Sequence, residues 1–322
     1  MAGFDRYSRR TVVGWGAAAL AVAPEIVHAA APATPEPPTA PPDAIQGNTD
    51  ANQRLTIETY VNGKGPFRFV VDTGADQSVI ADDVAVKLGL ISGEQVIVQG
   101  ISRSVAAQTV PISELAFGDF TIEHLRTPVL QRTWLGADGY LGLDVIDGRR
   151  VIFNFRDDKL TVTGSRINVG RRLLPPDETL VRVDGTKGRL TSTDCRVDGV
   201  HTHAFVDTGA EASIGNTRLF AELQIAGKTY VDEQLIPIIG VTGGQAFGRL
   251  ARIDSIELGE LQFKNGLLLI SDLPVFDVWG LAERPAMFIG MNFLRQTSSF
   301  SIDYRNKELL VRVADTRIVR AT

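Results

Sequence analysis

Two carboxylates in matched surroundings are the residues of this sequence best placed to do chemistry. Asp72 stands in Phe69-Val70-Val71-Asp72-Thr73-Gly74-Ala75, and Asp207 stands in Ala204-Phe205-Val206-Asp207-Thr208-Gly209-Ala210. In each phrase a run of apolar and β-branched residues, the pattern of a buried strand, delivers an acid into a turn closed by glycine. A charged carboxylate beside an apolar core is costly unless it is hydrogen-bonded or shares a proton. Two such acids in one chain therefore predict that they meet. Within hydrogen-bonding reach the pair cannot both ionise, and one proton is shared. One carboxyl can then take a proton from water while the other donates a hydrogen bond to a carbonyl. That is hydrolysis by an activated water, with no covalent intermediate.

The elements that must position these acids come in two copies. Leu55 to Val61, a turn at Asn62-Gly63, and Phe67 to Val71 read as a β-hairpin whose second strand delivers Asp72. Ala81 to Leu88 predicts a short helix stopped by Gly89. Further strands are expected around Gln95 to Gly100, Thr109 to Phe117 and Leu125 to Leu130, and helix signals elsewhere are weak. Arg54-Leu55-Thr56 returns as Arg189-Leu190-Thr191, at the same offset of 135 that separates Asp72 from Asp207. Leu115 to Phe120 is echoed by Ile256 to Leu261 at 141, Tyr140-Leu141-Gly142-Leu143 by Phe288-Ile289-Gly290-Met291 at 148, and Asn154 to Val162 by Asp303 to Val311 at 149. The offset only grows, so the order of elements is kept. Two copies are too few for a solenoid, which needs three or more short repeats. They predict two similar β lobes, residues 51–165 and 180–315, joined by a linker over 166–179 that contains Pro175-Pro176. The rise from 141 to 148 implies an insertion in the second lobe, and Pro274 to Pro285, with Trp279, falls inside it.

These residues resemble the aspartic peptidases, and more closely the retropepsin-like branch. There Asp-Thr-Gly-Ala is followed by a hydroxyl residue, here Ser78 and Ser213, and later by two apolar residues and a glycine, which Leu141-Gly142 and Ile289-Gly290 fit. The resemblance spans most of Arg54 to Val311. It implies a mostly β fold of two lobes related by a pseudo-two-fold axis, with a cleft between them. It further implies an aspartic endopeptidase with Asp72 and Asp207 as the catalytic dyad, whose single chain imitates the retropepsin homodimer. By the same resemblance Thr73 and Thr208 cross-link the turns through their hydroxyls. Gly74 and Gly209 allow close backbone approach, and Ser78 and Ser213 support the outer carboxylate oxygens. The glycine-bearing segments Val98 to Arg103, with Gly100, and Ile239 to Gln245, with Gly240 and Gly243, are candidate flaps, one per lobe. They also read as ordinary hairpin turns. No cofactor and no metal is expected.

Other features compete with this reading. A catalytically idle peptide-binding module, or a structural envelope protein that kept only the fold, would carry the same lobes. Both intact Asp-Thr-Gly-Ala turns argue against loss of chemistry. His201 and His203 share one strand face near Asp207, a conceivable metal pair. The first copy has Pro66 and Arg68 in that region, so the pair reads as surface. Cys195, the single cysteine, excludes an intramolecular disulfide and reads as a packed side chain. A net charge of −5 without a basic block argues against nucleic acid or an anionic membrane as partner. The expected partner is a peptide or protein substrate, and the chain is expected to act as a monomer.

The N-terminus carries an address. Ser8-Arg9-Arg10-Thr11 leads into an Ala-rich apolar stretch, and Ala29-Ala30-Ala31 offers small residues for cleavage. Residues 1–31 resemble a twin-arginine export signal, which implies a periplasmic or secreted protein. The alternative is an uncleaved N-terminal anchor. Residues 32–50, beginning with a proline-rich run, read as a spacer.

Overall fold

In the computed structural model, residues 44–49, 54–165, 174, 177–186, 189–228, 230–313 and 318–320 are described. The hairpin bearing Asp72 forms where the alternation is clearest. Leu55–Val61 buries Leu55, Ile57 and Val61 while exposing Glu58 and Tyr60. Asn62 (φ 50°) and Gly63 (φ 69°) then reverse the chain into Lys64–Val71. Two left-handed residues are what a tight hairpin between twisted strands requires. The register sets Thr56 opposite Val70 and Ile57 opposite Phe69. Arg189–Val197 and Val200–Val206 repeat the construction around Asp198 (φ 47°) and Gly199 (φ 85°), with Thr191 opposite Phe205.

Each strand that leads into an aspartate is flanked by a short parallel strand. Gly139–Leu141 lies beside Lys64–Val71, with Leu141 opposite Val71, and Ala286–Ile289 lies beside Val200–Val206, with Ile289 opposite Val206. Val79–Ala81 and Ile214–Gly215 pair with those short strands in turn. Long hairpins complete each lobe: Ser104–Phe117 with Phe120–Leu130, and Gln245–Leu258 with Leu261–Ile270. Their outer partners are Gln95–Gln99 and Tyr230–Ile239. The strands expected around Thr109 and Leu125 are present and run longer than the sequence pattern marked.

The helix expected near Ala81 is Asp82–Leu88, ended by Gly89 in the left-handed region at φ 68°. Its counterpart Thr217–Ile225 was not anticipated. It begins where Asn216 accepts a hydrogen bond from the Leu219 amide (2.9 Å). Asparagine is a strong N-cap, and the offset of 135 from Asp82 already pointed to Thr217.

The two lobes share a six-stranded antiparallel sheet in the order Glu178–Arg182, Glu308–Arg312, Ser299–Asp303, Arg149–Asn154, Lys159–Gly164, Ala44–Thr49. The order is a palindrome about its central pair, where Phe300 registers with Phe153 and their rings stack at 4.5 Å and 3°. A contiguous buried core therefore runs from Leu55 and Ile57 through Phe153 and Phe300 into Ile256 and Phe263. A second cluster, built on Phe205, Phe276 and Phe288, belongs to the later lobe.

Several boundaries move from the sequence reading. Ala44–Thr49 falls inside the segment read as spacer, yet it is a strand paired to both Lys159–Gly164 and Leu55–Val61. Its composition is unremarkable because backbone pairing between two existing strands needs no apolar alternation. Glu178 and Thr179, read as linker, open the strand Glu178–Arg182, and Ile318–Arg320, past the expected end of the second lobe, pairs with Leu261 to Phe263. The expected leader over 1–31 and the proline-rich run to residue 43 lie outside the described residues, as does most of 166–176. Among the described residues no helix is long and apolar enough to cross a membrane.

Candidate active site

Asp72 and Asp207 are brought together on the pseudo-two-fold axis. Each main-chain amide is fixed by the neighbouring short strand: Asp72 donates to the Leu141 carbonyl and Asp207 to the Ile289 carbonyl, both at 3.0 Å. Each carboxylate is held by its own turn. The Gly74 amide donates to Asp72 Oδ1 (2.8 Å), and the Gly209 and Ala210 amides donate to Asp207 Oδ1 (2.9 and 3.1 Å). Each carboxyl lies against the glycine of the other turn, and the two acids are close enough to shift one another's titration. Gly74 and Gly209 make this approach possible. A Cβ on Gly74 would meet the Asp207 carboxyl group at 2.9–3.0 Å, and one on Gly209 would meet that of Asp72 at 2.5–2.7 Å.

Thr73 and Thr208 lock the turns across the axis. Thr73 Oγ1 donates to the Val206 carbonyl (2.9 Å) and accepts from the Thr208 amide (3.1 Å). Thr208 Oγ1 donates to the Val71 carbonyl (2.6 Å) and accepts from the Thr73 amide (3.1 Å).

Ser78 and Ser213 do not support the carboxylates as expected. Ser78 Oγ donates to Asp144 Oδ1 (2.7 Å) and accepts from the Gly142 amide (3.0 Å). Ser213 Oγ donates to Asn292 Oδ1 (2.7 Å) and accepts from the Gly290 amide (2.8 Å). Both serines are wholly buried at the start of the following strand, where the nearest polar groups belong to the segments threading behind the turns. There the Leu143 and Met291 amides donate to the Ala75 and Ala210 carbonyls (2.8 and 2.9 Å). A Cβ on Gly142 would strike the Gln77 carbonyl carbon at 2.6 Å, and one on Gly290 the Ala212 carbonyl oxygen at 2.7 Å, so the apolar-apolar-glycine landmark is a packing requirement.

Asp144 and Asn292 were missed as supporting residues, although their shared offset of 148 was legible once Gly142 and Gly290 were aligned. Asp144 is held above the ordinary carboxylate range by burial, against the opposing hydrogen bonds from Ser78.

The electrostatics of the pair follow from burial. Asp207 is 9% exposed, and desolvation followed by the nearby Asp72 charge pushes it up to about 8. Asp72 is also raised by desolvation, but the Gly74 amide, the Arg54 guanidinium and the neighbouring Asp207 carboxyl pull it back. Arg54 is itself buried, donating to the Tyr140 hydroxyl and to the Leu135 carbonyl (3.2 Å).

Gly100, Gly240 and Gly243 sit at the tips of two hairpins, one from each lobe, and the tips meet. Arg103 Nε donates to the Thr242 carbonyl and Thr242 Oγ1 donates to the Arg103 carbonyl, both at 2.9 Å. Gly243 (φ 71°) lies against the Trp134 indole, over which the Arg103 guanidinium stacks at 5.3 Å. A side chain at Gly100 would collide with Thr242. Close approach, beyond turn formation, thus uses these glycines. The insertion folds as the helix Pro274–Val278, burying Val275 and Phe276, with Trp279 against Phe205 (4.7 Å) and Phe288 (5.1 Å).

His201 is exposed and His203 half-buried, their ring centroids 6.0 Å apart, and the desolvated His203 is lowered from its usual value. Among the described residues no three His, Cys, Asp or Glu side chains cluster as a metal site. Cys195 is buried and its thiol is pushed up to about 12, which suits packing.

Two lobes that each contribute an Asp-Thr-Gly turn to one dyad define a retropepsin-like, pseudo-dimeric fold. A family profile described as aspartyl protease matches residues 57–145 and 193–293, one segment in each lobe. The matched segments make up more than half of the chain, and the protein belongs to the aspartyl protease family. No curated protein matches the chain.

Proposed function

We propose that the chain is an aspartic endopeptidase that hydrolyses peptide bonds with a water activated by Asp72 and Asp207. The meeting of two carboxyls at the axis, each packed against the other turn's glycine, carries this reading. With one proton between them, the charged carboxylate accepts a proton from water as the water oxygen attacks the scissile carbonyl carbon. The neutral acid protonates the developing oxyanion, and collapse of the tetrahedral intermediate expels the amine with a proton. The meeting hairpin tips supply a cover that opens to admit an extended peptide and excludes water when closed. Substrate is a peptide or protein segment, and one chain suffices because it provides both acids.

A pepstatin-type transition-state analogue tests the reading. It should bind the purified protein between acid and neutral pH, and Asp72→Asn or Asp207→Asn should weaken binding about 100-fold or more. No binding by the parent at any pH in that range would contradict it. Arg9-Arg10 before the apolar stretch further supports export to the periplasm or beyond. Replacing both arginines with lysine should hold the protein in the cytoplasm, and normal export of that variant would point to another route.

A further inference from the structure

Each lobe carries a tryptophan on the short helical segment that precedes its apolar-apolar-glycine strand. Trp134 lies within Arg132–Leu135, and Trp279 directly follows Pro274–Val278. The two are used differently. Trp134 is engaged at the hairpin tips, its indole against Gly243 and beneath the Arg103 guanidinium. Trp279 packs instead on the strand that leads into its own dyad acid, with its ring 4.7 Å from that of Phe205 and 5.1 Å from that of Phe288.

The backbone dictates where these rings lie. Phe205 stands two residues before Asp207 on an extended strand, so both side chains leave the chain on one side. Phe288 is registered with Phe205 in the parallel pair, and their rings are 6.1 Å apart. Phe276, itself buried, backs Phe288 at 4.8 Å. The same apolar cluster takes in Ile238 from the second-lobe hairpin and Ile101 from the tip of the first-lobe hairpin. It therefore runs from the Asp207 strand up to the meeting tips, and forms the wall of the cleft on that side. Phe205 and Phe288 are only 8% and 2% exposed, so much of what this wall offers is the half-buried Trp279. In the first lobe the corresponding places hold Val70 and Tyr140, in the same parallel register, while the tryptophan of that lobe is engaged at the tips.

We propose that Trp279 is a specificity-determining residue that makes the subsite beside Asp207 shallow, so that it takes small apolar side chains of the substrate and rejects large ones. The inference deepens the peptidase reading and rests on it. Three rings occupy the space that a valine and a tyrosine occupy in the other lobe, and they are backed by the insertion helix through Val275 and Phe276. A close-packed aromatic wall cannot yield to a bulky side chain without strain. It also offers a charged side chain no partner in exchange for its water. The two sides of the dyad thus differ in size, and a peptide is held in one direction.

The test is binding of uncleavable hydroxyethylene hexapeptide isosteres, which mimic the tetrahedral intermediate and report on the subsites without turnover. Three compounds suffice: one with alanine before the isostere and phenylalanine after it, one in the reverse order, and one with phenylalanine on both sides. The parent should bind the better of the two mixed compounds about 10-fold or more tighter than the doubly bulky one. Trp279→Leu and Trp279→Ala should narrow that preference to about threefold or less, by tightening the doubly bulky compound. Trp134→Ala should leave the preference in place. Trp279→Leu keeps an apolar cover on Phe205, and its amide spectrum checks that the fold is native. A parent that binds the doubly bulky compound as tightly as the mixed ones, or an unchanged preference in folded Trp279→Leu, would overturn the subsite while leaving the peptidase reading intact. Failure of the parent to bind any of the three would overturn both.

Discussion

Thr73 and Thr208 exchange hydrogen bonds across the pseudo-two-fold axis, each hydroxyl donating to a carbonyl of the other lobe and accepting the other threonine's amide. Both side chains are buried, so removing either hydroxyl strands a carbonyl and an amide that water cannot reach. Thr73→Ala and Thr208→Ala should each destabilise the protein by about 1–3 kcal/mol in urea unfolding. The double variant should lose less than the sum, because both hydroxyls belong to one network. Strict additivity would show that the lobes are held at the axis by something else.

Asp144 and Asn292 occupy equivalent places, and each accepts from the amide and hydroxyl of a serine. An amide oxygen does this without the desolvation that raises the Asp144 carboxyl. Asp144→Asn should therefore leave stability near neutral pH unchanged or slightly higher, whereas Ser78→Ala should cost about 1–3 kcal/mol. A large loss in Asp144→Asn would reveal a need for its charge.

The strand Ala44–Thr49 joins the interlobe sheet to the hairpin of Asp72 by pairing with both. A chain that starts at Pro41 should melt with the full-length protein. One that starts at Ala51 should lose about 3 °C or more, since every hydrogen bond of that strand disappears. Equal melting of the two truncations would make the strand dispensable.

The doubled fold was legible because like chemistry recurring in the same order, at an offset that grows from 135 to 149, leaves a pattern. Asp72 with Asp207, Gly142 with Gly290, and Asn154 with Asp303 located both lobes, and the turn glycines were recognisable from the company they keep. What escaped was set by three-dimensional proximity. Nothing local marks Ala44–Thr49 as a strand, because its partners lie on either side of it in space. The serines were assigned to the carboxylates by the family resemblance, while their partners in the structure, Asp144 and Asn292, are 66 and 79 residues away. The contact of Arg103 with Thr242 spans 139 residues and depends on two hairpin tips arriving at one point.

Burial of the dyad makes stability depend on pH in a definite sense. Asp207 rises from an ordinary value of 3.8 to about 8 in the folded protein. Between those values the native state holds a proton that the unfolded chain has released. Its contribution is therefore fully present below about pH 4 and is lost as pH rises to about 8, with a slope of at most about 1.4 kcal/mol per unit for one proton. Urea unfolding across that window should show stability falling with pH in the parent, and a flatter profile in Asp207→Asn. A parent whose dyad contribution rises with pH would contradict the raised carboxyl.

Cleavage of an unbiased peptide pool by the parent, Asp72→Asn and Asp207→Asn, from acid to neutral pH, tests the central claim most directly. The parent should cleave, and its activity should fall as pH passes the upper titration of the dyad, where the shared proton leaves. Each variant should stay folded and lose roughly a thousandfold or more in turnover, because either change removes one half of the acid and base pair. A variant that keeps substantial turnover, or a parent that cleaves nothing at any pH, would contradict the two-carboxylate mechanism.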